Sequence, residues 1–280
     1  MAEISWFIQN DVWHSSDNLT ISPNNRAFKY GDGFFETMKI INGIIIFEHF
    51  HFERLFSSLQ TLQFDTPSLF TKHYFQQRIQ ELVERNSNQS LAHIRLTFFR
   101  SDGNLYNENN YPNYIIQSWH LPSLPSYKEQ GLLLDVYNDA KISCDIFSNI
   151  KNNNYLPYAM AAIWCRKKGL DDALLLNVYN RVAEATTSNL FIVKDGMIKT
   201  PALSEGCIAG VTRRYLLQCF EKENIAFEQT AITEENIFDA DEIFSTNTGF
   251  YIQWVKRCST KIYKNETSKS LYQRFITPLL

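Results

Sequence analysis

Three groups in this 280-residue chain have the chemistry to hold an organic cofactor and to move a proton. Lys151 stands alone among uncharged neighbours in Ser148-Asn149-Ile150-Lys151-Asn152-Asn153-Asn154-Tyr155. A primary amine can condense with a carbonyl and then serve as acid or base. Glu184 is the single carboxylate of Ala183-Glu184-Ala185-Thr186-Thr187-Ser188-Asn189-Leu190-Phe191, where it could face a ring nitrogen. Gly206-Cys207-Ile208-Ala209-Gly210-Val211-Thr212-Arg213-Arg214 leads into a helical pattern. The unpaired N–H groups and positive dipole end of such a helix start suit a phosphate, with the Thr212 hydroxyl as a further donor. Taken singly, each feature has a plainer reading: most lysines are solvated surface residues, and most glycines beside polar residues mark turns.

The elements that must position these groups follow from periodicity. Pro23-Asn24-Asn25 marks a turn, and Tyr30-Gly31-Asp32-Gly33 reads as a tight loop or a plain turn between strands. Residues 1–22 read as a first strand or hairpin. Phe35 to Phe47 forms a hairpin across Asn42-Gly43. A helix from Glu48 to about Phe64 buries Phe52, Leu55, Phe56, Leu59 and Leu62, with His51 and Arg54 beside that stripe. A second helix runs from Leu69 to about Arg85. Leu91 to Phe99 is a strand whose parity puts His93 and Arg95 on one face, and Tyr114 to Trp119 is another. Leu121-Pro122-Ser123-Leu124-Pro125-Ser126-Tyr127 is the best linker, which places a boundary between residues 1–120 and 132–280, with the linker at 121–131. That second half holds a strand near Leu132–Val136, a helix from Leu156 to about Lys168 and paired strands at Asp172–Val178 and Val182–Ala185. A hairpin about Asp195-Gly196, a helix to about Asn224, a helix start at Thr233-Glu234-Glu235-Asn236 and a strand at Ile243–Thr248 complete it. The mixture is α/β.

Composition narrows the function classes. The chain is 44% hydrophobic and 20% charged, as an ordinary globular protein is. A formal net charge of -3 argues against a dominant basic face for nucleic acid. The five cysteines form no C-x-x-C pair and are widely spaced, which argues against a zinc ribbon or a disulfide framework and for a reducing cytoplasm. No secretory leader pattern opens the sequence, and no run reaches the ~18 apolar residues of a membrane span. There is no G-x-S-x-G, H-E-x-x-H or P-loop. His49 and His51 have poor spacing for a shared metal, so no metal site is expected.

The order of these elements resembles the class IV aminotransferase family, which includes branched-chain and D-amino-acid aminotransferases and aminodeoxychorismate lyase. Tyr30-Gly31-Asp32-Gly33-Phe34-Phe35-Glu36 looks like the family's early signature and His51-Phe52-Glu53-Arg54-Leu55 like its H-x-x-R-L element. Lys151–Tyr155, Glu184–Phe191 and Gly210-Val211-Thr212-Arg213 follow in the family's order. The resemblance implies a two-domain fold-type IV architecture, similar to D-amino-acid aminotransferase, with a smaller N-terminal α/β domain to about residue 120 and a larger β-rich domain that carries Lys151, acting as a homodimer on small amino and oxo acids. It implies pyridoxal 5'-phosphate as cofactor, with Lys151 forming the Schiff base and moving the substrate's α-proton. Glu184 would pair with the ring nitrogen. Arg54, Val211 and Thr212 would bind the phosphate, together with Asn247 and Thr248. Tyr30, His93 and Arg95 would line the substrate pocket. The implied activity is transfer of an amino group between an amino acid and a 2-oxo acid. The alternatives are aminodeoxychorismate lyase, releasing pyruvate and 4-aminobenzoate, and a cofactor-binding protein without turnover. The tyrosine four residues after the lysine and Ser245-Thr246-Asn247-Thr248-Gly249 resemble the lyases; His93-Ile94-Arg95 resembles a strand motif of the branched-chain enzymes.

Overall fold

Asn42 and Gly43 both adopt positive φ, 51° and 78°, as a two-residue hairpin turn requires. They join β3 (Gly33–Ile41) to β4 (Ile44–Ile45). A computed structural model describes residues 6–15 and 21–280 of the chain. It divides the chain into two units, one running to Leu124 and including Ile150–Asn154, the other formed by Pro125–Asn149 and Tyr155–Leu280.

The first unit is built on a six-stranded antiparallel sheet of order β2-β1-β6-β5-β3-β4. Its remaining strands are β1 (Trp6–Gln9), β2 (Val12–Ser15), β5 (Leu91–Arg100) and β6 (Pro112–His120). The first hairpin falls within the stretch read as a strand or hairpin; residues 1–5 and 16–20 of that stretch lie outside the described residues. Two 14-residue helices, α2 (Glu48–Thr61) and α3 (Lys72–Arg85), belong to this unit. Phe52, Leu55 and Leu59 of α2 join Phe75, Ile79 and Leu82 of α3 in one buried cluster. The strands contribute Phe34, Met38, Ile94, Leu96 and Phe98 to it. Successive strand residues alternate between faces, so Phe35, Thr37, Lys39, His93 and Arg95 belong to the opposite face, where Lys39 pairs in register with His93 and Thr37 with Arg95.

A short helix the sequence reading did not contain, α1 (Arg26–Tyr30), precedes the glycine pair. Asn25 caps it, accepting from Ala27 N and Phe28 N, and Gly31 ends it in the left-handed region. Five residues are too few to show a periodic apolar stripe.

The second unit holds a nine-stranded mixed sheet of order β12-β11-β10-β13-β14-β7-β8-β9, with β15 paired to β14. These strands are β7 (Leu132–Ile142), β8 (Asp172–Asn177), β9 (Val182–Ala185), β10 (Asn189–Lys194) and β11 (Met197–Pro201). They continue with β12 (Phe227–Thr230), β13 (Glu242–Asn247), β14 (Tyr251–Cys258) and β15 (Lys261–Ile262). The helices are α4 (Leu156–Lys168), α5 (Val211–Lys222), α6 (Glu234–Asp239) and α7 (Glu266–Leu271). The helix start at Thr233 is a reciprocal capping box with Asn236. One apolar cluster of the sheet packs with Tyr158, Ala161 and Cys165, the buried stripe of α4. β7 runs six residues beyond the expected strand, through an irregularity between Tyr137 and Lys141.

Residues Ile150–Asn154 were expected in the C-terminal domain, but they cluster with the first unit. Their backbone explains why. Phe35 N donates to Lys151 O at 2.9 Å and Asn153 N donates to Gly33 O at 2.9 Å, while Phe34 bridges Asn152. The segment is attached to β3, and Ile150 enters the core of the first unit.

Candidate active site

The backbone bonds to β3 place Lys151. Its Nζ lies 4.5 Å from the centroid of the Phe35 ring, and the Arg95 guanidinium carbon lies 3.6 Å from the same centroid. Both contacts have the geometry of a cation on an aromatic quadrupole. Arg95 Nε also donates to Thr97 Oγ1 at 3.3 Å. The glycine pair makes room for the lysine segment. A Cβ on Gly33 would collide with the Phe98 carbonyl oxygen and approach Asn153 Nδ2 to 2.7 Å; one on Gly31 would collide with Asn154 Oδ1. Asp32 between them takes Arg26 at 2.7 Å and Arg100 at 2.6 Å.

Arg54, on α2, donates from Nε to Glu36 Oε1 and from Nη2 to Glu36 Oε2, both at 2.7 Å, a two-pronged pair that occupies one edge of the guanidinium. His51 Nδ1 lies 2.8 Å from Glu36 Oε2 and must carry the proton there, since an ionised carboxylate only accepts. Burial pushes the Glu36 carboxyl up, but Arg54 and His51 overcome it and hold it at about 2. Burial pushes His51 down despite Glu36, so the ring is held toward its neutral form, and its Nε2 is buried without a hydrogen-bond partner. His93 is pushed down to about 4, by burial first and then by Lys39 and Arg95, so it is neutral at pH 7. Tyr30 ends α1 with 37% of its surface exposed and the Lys29 ammonium 5.0 Å from its ring centroid.

In the second unit, Glu184 is aimed by a bulge. Leu175 pairs with Glu184 but Leu176 pairs with Val182, so Ala183 is the extra residue. Glu184 therefore shares the face of Leu175, which belongs to the cluster packed with α4. Its Oε1 accepts from Tyr158 Oη at 2.7 Å; its Oε2 accepts from Ile208 N at 3.1 Å and Asn189 Nδ2 at 3.2 Å. The same Asn189 amide donates to Ile208 O at 2.8 Å, and a Cβ on Gly210 would collide with Asn189 Oδ1. Glu184 and the start of α5 are thus joined through Ile208, Asn189 and Gly210. Tyr158 and Asn189 were not singled out in the sequence; the helix from Leu156 to about Lys168 was legible, but not which of its side chains are buried or what they face.

α5 is a 12-residue helix with Gly210 at its N-cap and no side chain capping it. Val211 and Thr212 are buried in its first turn, and Thr212 Oγ1 is buried without a hydrogen-bond partner. Such a hydroxyl costs about 1–3 kcal/mol unless something bonds it, and an uncapped helix start attracts an anion. Asn247, at the end of β13, donates to Thr187 O at 3.2 Å, and its Oδ1 accepts from Gly249 N at 2.8 Å and Phe250 N at 3.0 Å. That network shapes the turn carrying Thr248. Within the second unit, a helix-start hydroxyl and amides suit a phosphate and a buried carboxylate suits a ring nitrogen; within the first, Lys151 offers an amine to a carbonyl. These donor types match the functional groups of pyridoxal 5'-phosphate. Among the described residues, no cluster of His, Cys, Asp and Glu could hold a metal.

A sequence model of the amino-transferase class IV family matches residues 33–258. A Methanocaldococcus jannaschii protein provisionally assigned as a branched-chain-amino-acid aminotransferase is 28% identical over 95% of this chain and 93% of its own. The aminodeoxychorismate lyase of Vibrio harveyi is 29% identical over 80% of this chain and 82% of its own. The solved branched-chain aminotransferase of Thermoproteus uzoniensis, with norvaline, superposes with a TM-score of 0.87, covering 96% of this chain and 93% of that one at 22% identity. That likeness shows a shared fold.

Proposed function

The chain belongs to the class IV aminotransferase family, and from that premise we propose that it transfers an amino group between an amino acid and a 2-oxo acid, with Lys151 Nζ carrying the substrate's α-proton. It is an enzyme, and its cofactor is pyridoxal 5'-phosphate. When bound, the cofactor supplies the electron sink for breaking a bond at the substrate's α-carbon. The chain's residues supply the rest. Arg54, Val211, Thr212, Asn247 and Thr248 would hold the phosphate. Glu184 would hold the proton on the ring nitrogen. Tyr30, His93 and Arg95 receive the substrate, His93 as a neutral hydrogen-bonding group and Arg95 as a fixed cation.

One observation carries the transaminase reading: Arg95 and Lys151 lie against the same Phe35 ring. A guanidinium held on the ring that also contacts the reacting amine suits the carboxylate of a small amino or oxo acid. The lyase is the second reading, favoured by the four-residue step from Lys151 to Tyr155 and by the Vibrio harveyi relative. We assign the chain to the cytoplasm, which suits five free cysteines, and to a homodimer, by analogy with the family. Among the described residues no helix is long and apolar enough to cross a membrane.

The test gives the purified protein a panel of amino acids with 2-oxoglutarate and, separately, aminodeoxychorismate. Oxo-acid and glutamate formation is expected. Pyruvate with 4-aminobenzoate, and no amino transfer on the panel, would overturn the transaminase reading in favour of the lyase. Sedimentation that gives only the monomer mass would overturn the dimer.

A further inference from the structure

We propose that Tyr158 is a positioning residue for the reaction: its hydroxyl fixes Glu184 as an oriented carboxylate, so that the cofactor's ring nitrogen keeps its proton. The inference rests on the reading of Glu184 as the ring-nitrogen partner and adds a residue that acts through it.

The geometry is local to the second unit. Tyr158 Oη donates to Glu184 Oε1 at 2.7 Å, and both side chains are buried. Glu184 Oε2 takes a backbone and a side-chain amide, Ile208 N and Asn189 Nδ2. A carboxylate offers about four lone-pair positions. Tyr158 Oη, Ile208 N and Asn189 Nδ2 each point a hydrogen at Glu184. Asn189 is locked in that sense by its second bond, to Ile208 O. The Tyr158 ring is also held. It stacks on Tyr155 with centroids 4.4 Å apart and planes 22° apart, and it continues the buried stripe through Ala161 and Cys165. Burial and the neighbouring Glu184 charge push the phenol far above its ordinary range, so the hydroxyl stays protonated and acts toward Glu184 only as a donor.

The consequence follows from how hydrogen bonds act on acids. Bonds donated to a carboxylate favour its charged form and weaken it as a base. A weaker base between three donors leaves a shared proton on a ring nitrogen and does not draw it to itself. It also cannot rotate, because turning Oε1 away from Tyr158 would strand a buried hydroxyl. A phenylalanine would fill the same volume and keep the stack on Tyr155, so packing alone gives no reason for the hydroxyl.

The experiment compares Tyr158→Phe, Glu184→Gln and the double variant as holoenzymes. The cofactor's absorbance is titrated against pH, its Kd is measured on reconstituting stripped protein, and kcat and KM are measured separately. Tyr158→Phe is expected to move the midpoint of the absorbance titration by about half a pH unit or more. It should weaken the cofactor Kd several-fold and lower kcat roughly tenfold while KM stays within about twofold. In the Glu184→Gln background the same substitution should add nothing to these shifts. If Tyr158→Phe does not fold, a fluorotyrosine placed at 158, whose more acidic hydroxyl donates more strongly, should move the midpoint the opposite way. An unmoved midpoint and Kd, with only a lower melting temperature, would overturn the proposal and leave Tyr158 as packing. If Glu184→Gln moves the midpoint and Tyr158→Phe does not, Tyr158 alone is misassigned. If neither moves it, the reading of Glu184 fails as well.

Discussion

Lys151 is bound to Phe35 twice: the Phe35 amide donates to the Lys151 carbonyl at 2.9 Å, and the Lys151 ammonium lies 4.5 Å from the Phe35 ring centroid. A lysine in a run of asparagines would otherwise sweep a wide volume on its four-carbon stem. The backbone bond fixes its root to a sheet strand, and the ring limits where its tip goes. Functional groups seated on rigid elements hold their geometry better than groups on loops.

Lys151→Ala should remove the cofactor's covalent attachment. The yellow absorbance of the lysine-bound cofactor and its borohydride-reducible adduct should both vanish, and turnover should fall by roughly 10²–10⁴-fold, the range for a lost acid–base group. An adduct that survives in the variant would show that another amine holds the cofactor.

Gly33→Ala and Gly43→Ala should separate close approach from strain. A Cβ on Gly33 meets the Phe98 carbonyl and Asn153 Nδ2, so the strand and the lysine segment must part. About 1–3 kcal/mol of stability should go, and activity should fall with it because Lys151 moves. Gly43 has φ of 78° and nothing within 4 Å. Alanine there should cost roughly 1 kcal/mol of backbone strain and leave kcat alone. Denaturant melts paired with kcat measurements would check both; equal effects on kcat would refute the distinction.

The Glu36 pair predicts an acid-sensitive contribution. The folded carboxyl sits at about 2 against an ordinary 4.5. A depressed acid contributes stability that is fully present above 4.5 and lost as pH falls toward 2. Glu36→Gln should cost on the order of 3 kcal/mol at pH 7, since it leaves Arg54 and His51 without their anion. The gap from wild type should narrow between about pH 4.5 and 2. Urea melts of both proteins across that window would show it; a pH-independent gap would mean the pairing is not ionic.

Thr212→Val should act in opposite directions with and without cofactor. The hydroxyl is buried without a partner, so the stripped protein should be as stable or gain up to about 1 kcal/mol. Cofactor affinity should drop roughly tenfold if the hydroxyl bonds the phosphate. Reconstitution titrations and melts of the stripped form measure the two separately. Unchanged affinity would remove Thr212 from the phosphate-binding set.

Much of the local structure was legible because its causes are local. Asn42-Gly43 turns a hairpin because both residues tolerate positive φ. Thr233 and Asn236 start a helix because their side chains satisfy each other's backbone amides. α4 spans Leu156–Lys168 as its composition indicated, and alternation puts His93 and Arg95 on one face of β5. The ordered motifs carried the family. Boundaries were less secure: α2 stops at Thr61 and α3 starts at Lys72, each about one turn inside its apolar pattern.

The sequence by itself determined many of the strands, helices and turns and the residue types available for chemistry, because propensity, capping and periodicity act between residues a few positions apart; α1, β12, β14, β15 and α7 were not among them. Only the tertiary structure decided that Lys151 leaves the unit of its chain neighbours to pair with β3, that Gly31 and Gly33 exist to let it do so, and that Tyr158 and Asn189 enclose Glu184. Apart from the Asn189–Glu184 contact, these are backbone and side-chain bonds between segments far apart in the chain. Their partners carry no local mark of one another, and they form only when sheet order and a single bulged residue bring the segments to the same face.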